Sequence, residues 1–253
     1  MPSLLRYIGM KKWKIVGLIL AFVLLGLGFY LPGFIQKEKD ESFRDEVVKE
    51  EVFPKDTNPE EKIDFEKLKD VNQDIYGWIT IPGTTIDYPV LQSGDSKAED
   101  YYLKHNVFGD SDIHGCIYSQ KCNVRDFSDP VTVLYGHNMR DGSMFQQLHK
   151  YEDEDFFYKK GFIEVYTPEA KRVYQVVAAY TMPAESILDK WNGCKEPIDM
   201  FNYIQEIKFC DGIYNDDAVL NTNSQLLTLC TCNGDGSKRY VVQGVLIDTH
   251  SMT

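Results

Sequence analysis

The chain has 253 residues, a formal net charge of −12, 43% hydrophobic residues and 26% charged ones. That length accommodates one membrane segment and one sizeable domain rather than two domains, and the apolar share supports a real core. The acidic balance excludes nucleic acid as a partner, because phosphate binding needs a basic surface.

The charge is unevenly placed. Arg6, Lys11, Lys12 and Lys14 all precede the first acidic residue, Glu38. Residues 1–14 read as a short basic cytoplasmic segment. Residues 15–35 contain no charge, and at about 1.5 Å per helical residue such a run crosses a bilayer core of roughly 30 Å. It continues into FYLPGFIQ with no small-residue cleavage site, which predicts an uncleaved transmembrane anchor rather than a removed signal peptide. Basic residues before the span and acidic ones after it place the N-terminus inside and the domain outside. Residues 36–62, dense in charge and carrying Pro54 and Pro59, read as a solvated stalk, and residues 63–253 as the folded domain.

Within that domain, Phe65, Leu68 and Val71 fall at helical spacing, and the helix is expected to break at Gly77. Strand texture follows. ITIPGTTIDYPV reads as two strands around a Pro-Gly turn. CIYS, VTVLY, FIEVYT, VYQVVAAYTM, QLLTLCT and RYVVQGVLI are β-branched or aromatic runs bounded by turn residues. SMFQQLHKY and IDMFNYIQEIKF interrupt them with helical spacing. Many strands without βαβ alternation predict a mostly β fold, a largely antiparallel closed barrel with helical insertions. The six cysteines (Cys116, Cys122, Cys194, Cys210, Cys230 and Cys232) form no C-x-x-C pair, which argues against a disulfide framework or a zinc site.

Three short pieces carry chemistry. Cys232 ends the strand TLCTC and is followed by NGDGSK, whose two glycines permit a tight turn. A cysteine there can be exposed yet rigidly held from one side, although an arbitrary cysteine is more often a small buried hydrophobe. His137 follows a strand and a glycine in VLYGHNM. Histidine is well suited to move protons near neutrality, but residue type alone does not choose among His137, His105, His114, His149 and His250. Arg239 opens the next strand seven residues after Cys232. A hairpin would return it to the thiol's end of the sheet, where a guanidinium can donate to a carbonyl or an oxyanion; Lys238 is its rival.

Together and in this order, these pieces resemble one family. TLCTC is similar to the T-L-x-T-C signature of sortases, LYGHN to their histidine strand and RYVV to their arginine strand. The stretches IYGWITIPGTTIDYPVLQ, YYLKH and LYGHNMRDGSMFQQLHKY, with the helical insertion before TLCTC, resemble class B sortases. The resemblance implies an eight-stranded closed β-barrel and a cysteine transpeptidase. By it, Cys232 attacks the threonine carbonyl of a C-terminal sorting signal and forms an acyl-enzyme. His137 protonates the leaving amine and then accepts a proton from the incoming one, and Arg239 holds the substrate backbone or the oxyanion. Tyr135, Cys230, Thr231 and Asn138 are expected to line the substrate groove. The implied partners are secreted proteins with an NPxTx-like signal, and an amine of a cell-wall peptide or pilin as acceptor. No metal or organic cofactor is required for acyl transfer through a thiol.

Cys230 stands where this class often has serine. It shares a strand face with Cys232 at a rise of roughly 6.6 Å, too far for a disulfide without breaking the strand. A cysteine-dependent peptidoglycan transpeptidase would carry an S-x-G-C-x-R run, which this chain lacks. An inactive sortase-like scaffold and a hydrolase without amine transfer are the remaining alternatives. His149, on a helix whose other residues read as structural, is not expected to be catalytic.

Overall fold

Asp64 opens the first helix, α1 (Phe65–Val71), by accepting a hydrogen bond from the Lys67 amide at 3.1 Å, and Phe65 and Leu68 bury one face of the helix. This computed structural model describes residues 63–233 and 237–252. The expected membrane anchor and stalk, and residues 234–236 of the NGDGSK loop, lie outside the described residues. Among those described, no helix is long and apolar enough to cross a membrane.

The helix stops at Val71, six residues short of Gly77, where the sequence reading placed its end. Asn72 leaves helical geometry, accepts from the Asp74 amide at 2.9 Å and donates to the Val107 carbonyl at 2.7 Å. Its short polar side chain competes with continued helix. Gly77 instead lies inside β1 (Ile75–Thr80), where a Cβ atom would stand 3.2 Å from both the Phe127 ring and the Tyr166 carbonyl oxygen.

Eight further strands follow: β2 (Asp87–Leu91), β3 (Ile117–Ser119), β4 (Val131–Tyr135), β5 (Phe162–Tyr166), β6 (Ala170–Pro183), β7 (Gly212–Tyr214), β8 (Leu226–Asn233) and β9 (Lys238–Ser251). Neighbours run β5-β1-β2-β3-β4-β8-β9-β6, and pairing of β6 with β5 closes an eight-stranded barrel. The short β7, unforeseen from the sequence, adds to β6 where β5 has ended. The pairs β2–β3 and β4–β8 are parallel, and the remaining pairs are antiparallel.

Strand alternation sorts the apolar side chains into two cores. Leu227 and Leu229 of β8 face the barrel interior with Ile79, Val165, Tyr174 and Val242. Leu226 and Cys230 face outward, into a second core that includes Val131, Val241, Tyr203 and Ile204. Fully burying one such aliphatic side chain is worth about 1.5–3 kcal/mol. The second core is roofed by α4 (Pro197–Lys208), which has Pro197 in its first turn and buries Met200, Tyr203, Ile204 and Ile207 at helical spacing. Between the strands also lie α2 (Glu154–Lys159) and α3 (Ile187–Lys190). The expected SMFQQLHKY helix is a 3₁₀ helix, Phe145–Glu152, in which Phe145, Leu148 and Tyr151 are buried. Three residues per turn bring that i, i+3, i+6 set onto a single line, which the apolar spacing favours.

Candidate active site

The parallel pairing of β4 with β8 sets Tyr135 opposite Cys230, so both strands end at the same rim of the barrel. One residue beyond β4, the Gly136 amide donates to the Cys230 carbonyl at 3.2 Å and extends the ladder. That step carries His137 toward Cys232. On the other side, the β8–β9 hairpin pairs Cys232 directly with Arg239. The three sequence motifs thus converge on three adjacent strands at one rim. A side chain at 136 has no room, since a Cβ would come within 2.5 Å of Ile117 Cδ1 and 2.8 Å of the Phe145 ring.

His137 is half-buried and its ring is fixed. Nε2 lies 2.7 Å from the Leu103 carbonyl oxygen, and the backbone carbonyl of His137 accepts from the Phe145 amide at 2.9 Å. A carbonyl can only accept, so Nε2 carries a proton. In the neutral ring this leaves Nδ1 with the lone pair that can take or return a proton.

Asn138 ties this loop to the nucleophile strand. Its Nδ2 donates to the Cys232 carbonyl at 2.9 Å and to His149 Nε2 at 3.1 Å. Accepting at Nε2 makes His149 a neutral ring protonated on Nδ1, which donates to Glu152 at 2.6 Å. The same ring stacks on Tyr240, with centroids 4.5 Å apart. His149 is therefore linked to the Cys232 backbone through Asn138 alone, nearer than its place in the sequence suggests.

A cleft of about 230 Å³ adjoins this rim, its walls including Tyr118, Tyr135, Cys230, Arg239, Glu99 and Asp100. Tyr135 donates to Gln120 at 3.0 Å and stacks on Tyr118. Cys230 and Cys232 point to the same face of β8, as alternation requires, and all six cysteines are free thiols. Their environments differ. Cys230 is only 5% exposed, and burial pushes its thiol up to about 12 despite the nearby Arg239. Such a thiol stays protonated and unreactive near neutral pH, whereas Cys232 is partly open to solvent.

Of the expected groove residues, Tyr135 and Cys230 line the cleft. Asn138 holds the Cys232 backbone instead. Thr231 departs from its expected place: alternation turns it inward, it is 2% exposed, and it is absent from the cleft wall. The sequence reading also overlooked the Leu103 carbonyl, which as a main-chain group leaves no sequence signal, and the contacts of His114 described below.

The sortase domain family model matches residues 79–247. Sortase B of Listeria monocytogenes is 31% identical, over 94% of this chain and 99% of that protein. The structure of Clostridium perfringens sortase B superposes with a TM-score of 0.65 at 30% identity, covering 73% of this chain and all of that one. A Staphylococcus aureus sortase B–substrate complex gives a TM-score of 0.67 at 27% identity, covering 84% of this chain and 94% of that one.

Proposed function

The chain belongs to the sortase family, within its class B, and is a cysteine transpeptidase; from that premise we propose that Cys232 is its nucleophile, His137 its general acid and base, and Arg239 its oxyanion or substrate-backbone donor. The observation that carries this assignment is the strand register, which pairs Cys232 with Arg239 and leads β4 into His137 at the same rim.

In the first half-reaction, the Cys232 sulfur as thiolate attacks the threonine carbonyl carbon of a sorting signal. The carbonyl oxygen becomes an oxyanion, stabilised by the Arg239 guanidinium. The C–N bond then breaks, the leaving nitrogen takes a proton from His137, and a thioester remains on Cys232. In the second half-reaction an amine attacks the thioester carbon and gives its proton to Nδ1 of His137. The C–S bond breaks, which restores the thiolate and leaves a new amide. With Nε2 donating to Leu103, Nδ1 is the nitrogen available for both transfers.

Tyr135, Cys230 and Arg239 shape the groove for the acyl portion of the signal, and Asn138 steadies the strand end beneath the thiol. The signal is proposed to be NPxTx-like, and the acceptor an amine of cell-wall peptide or pilin. Residues 15–35 are proposed to anchor the chain, with the N-terminus cytoplasmic and the domain outside. No cofactor takes part in the proposed chemistry.

The test offers the full chain NPxTx and LPxTG peptides, each with and without an amine acceptor. Cleavage that yields an amide with the acceptor is expected, with the larger kcat/KM for NPxTx. A ten-fold advantage for LPxTG, about 1.4 kcal/mol of transition-state binding, would overturn the signal assignment. Release of free acid alone would indicate a hydrolase, and absence of any cleavage a binding scaffold.

A further inference from the structure

Away from the rim, one buried ionisable cluster has no part in the chemistry above. His114 sits in the loop between Leu103 and β3, with its side chain 4% exposed. Its Nδ1 lies 3.0 Å from Asp112 Oδ1 and its Nε2 lies 3.3 Å from Asp141 Oδ2. The Asp112 side chain is 2% exposed and that of Asp141 32% exposed.

Ionised carboxylates only accept hydrogen bonds, so both ring nitrogens must carry protons and His114 is an imidazolium. Two carboxylates around one cation leave a net charge of −1, with the His114 and Asp112 side chains almost fully buried and Asp141 at the open side. Burying such charges is costly, and the ion pairs and hydrogen bonds to His114 offset that cost only while all three side chains stay together.

What it joins is specific. Asp112 belongs to the segment that also carries Leu103, the residue whose carbonyl accepts from His137, and the Asp112 amide donates to the Lys104 carbonyl at 2.8 Å. Asp141 lies four residues after His137 in the loop that leaves the active-site rim, and its other oxygen, Oδ1, accepts from the Ser143 amide and hydroxyl. The two segments therefore meet twice. One meeting is the catalytic-site bond from His137 to Leu103, and the other is the His114–Asp141 contact. We propose, building on the role assigned to His137 above, that His114 is a positioning residue: clamped between Asp112 and Asp141, it docks the His137 loop onto the Leu103 segment and so fixes the tautomer and aim of the His137 ring.

The clamp is tied to pH. Asp112 holds the His114 ring protonated above the ordinary histidine range, with Asp141 adding to the effect, and both carboxyls are held below theirs. Among the described residues, these two aspartates are the charged groups bonded to the ring, and Asn106 also bonds to Asp112. A raised folded-state pKa means that the charged clamp is complete at low pH and is lost as pH rises through that value. On deprotonation, one carboxylate loses its donor.

The test substitutes His114→Gln in the full chain, with Asp141→Ala as a second variant at the more exposed partner should the first fail to fold. Misplacement of a general acid–base group costs roughly ten- to hundred-fold in rate. The expected result is a fall of that size in kcat with little change in KM for the peptide, and loss of the wild-type alkaline decline that follows His114 deprotonation. Asp141→Asn keeps an oxygen that can accept from His114 Nε2, and is expected to retain most of kcat. Nitrogen-15 NMR of the histidine side chains supplies a readout independent of turnover: His137 should be protonated on Nε2 in the wild type and become a tautomer mixture in His114→Gln. If the wild type cleaved no peptide, the functional assignment would fail while the NMR comparison still tested the clamp. A folded His114→Gln variant with an unchanged His137 signal and unchanged kcat would overturn the clamp.

Discussion

Cys232 and Arg239 reach the rim by a different route from His137. The first two lie on β8 and β9, and backbone pairing alone sets them across from one another. Their placement follows from the ladder hydrogen bonds and from the two cores that fix which face of β8 is which. His137 lies two residues past its strand, beyond the last ladder bond at Gly136, and is held by Leu103 at its ring and Phe145 at its backbone, while its neighbour Asn138 bonds the Cys232 carbonyl. Strand register positions a residue almost without side-chain help, whereas a loop residue needs partners from elsewhere in the chain.

Beside the nucleophile itself, the largest expected effect lies on the loop side. His137→Ala removes the acid–base group and should lower kcat about 10²–10⁴-fold, as measured by peptide cleavage, while the melting temperature stays near that of the wild type. Next comes Arg239→Ala on the strand side, expected to cost about 10²–10³-fold by loss of the oxyanion donor. A loss confined to KM would instead assign the guanidinium to substrate binding alone.

Gly136→Ala tests the junction between the two regimes. The added methyl meets Ile117 and the Phe145 ring at sub-van der Waals distances, so overpacking should destabilise the fold by about 1–3 kcal/mol in denaturant titration. An unchanged midpoint would mean that the β4 end yields freely and does not hold His137 in register. The smallest effect is expected at His149→Ala. It removes one acceptor for Asn138 and a stacking partner for Tyr240, worth about 1 kcal/mol, so that kcat/KM falls roughly five-fold or less.

The same contrast explains how far the sequence could be read. Every strand with an alternating apolar or aromatic run was legible. The three-residue β7 was not, because Gly212–Tyr214 pairs only where β6 outruns β5 and has no pattern of its own. The end of α1 was misplaced at Gly77 because glycine reads as a breaker; the cause of the break is the Asn72 side chain, and Gly77 is required by close packing in β1. At the site, TLCTC, LYGHN and RYVV pointed to residues that the fold brings together. The partners that orient His137 were illegible, since Leu103 lies 34 residues away and contributes a main-chain oxygen, and His114 reaches Asp141 across 27 residues. Thr231 was assigned to the groove by its place in the motif, but strand alternation turns it into the barrel.

The central claim is that two thiols on one face of one strand, two residues apart, differ in kind: Cys230 is a buried wall of the cleft and Cys232 the nucleophile. Mass spectrometry of the full chain trapped with a sorting peptide tests it directly, alongside Cys230→Ser and Cys232→Ser. The account predicts an acyl adduct on Cys232 alone, most activity retained in Cys230→Ser and none in Cys232→Ser. An adduct on Cys230, or turnover surviving in Cys232→Ser, would contradict it.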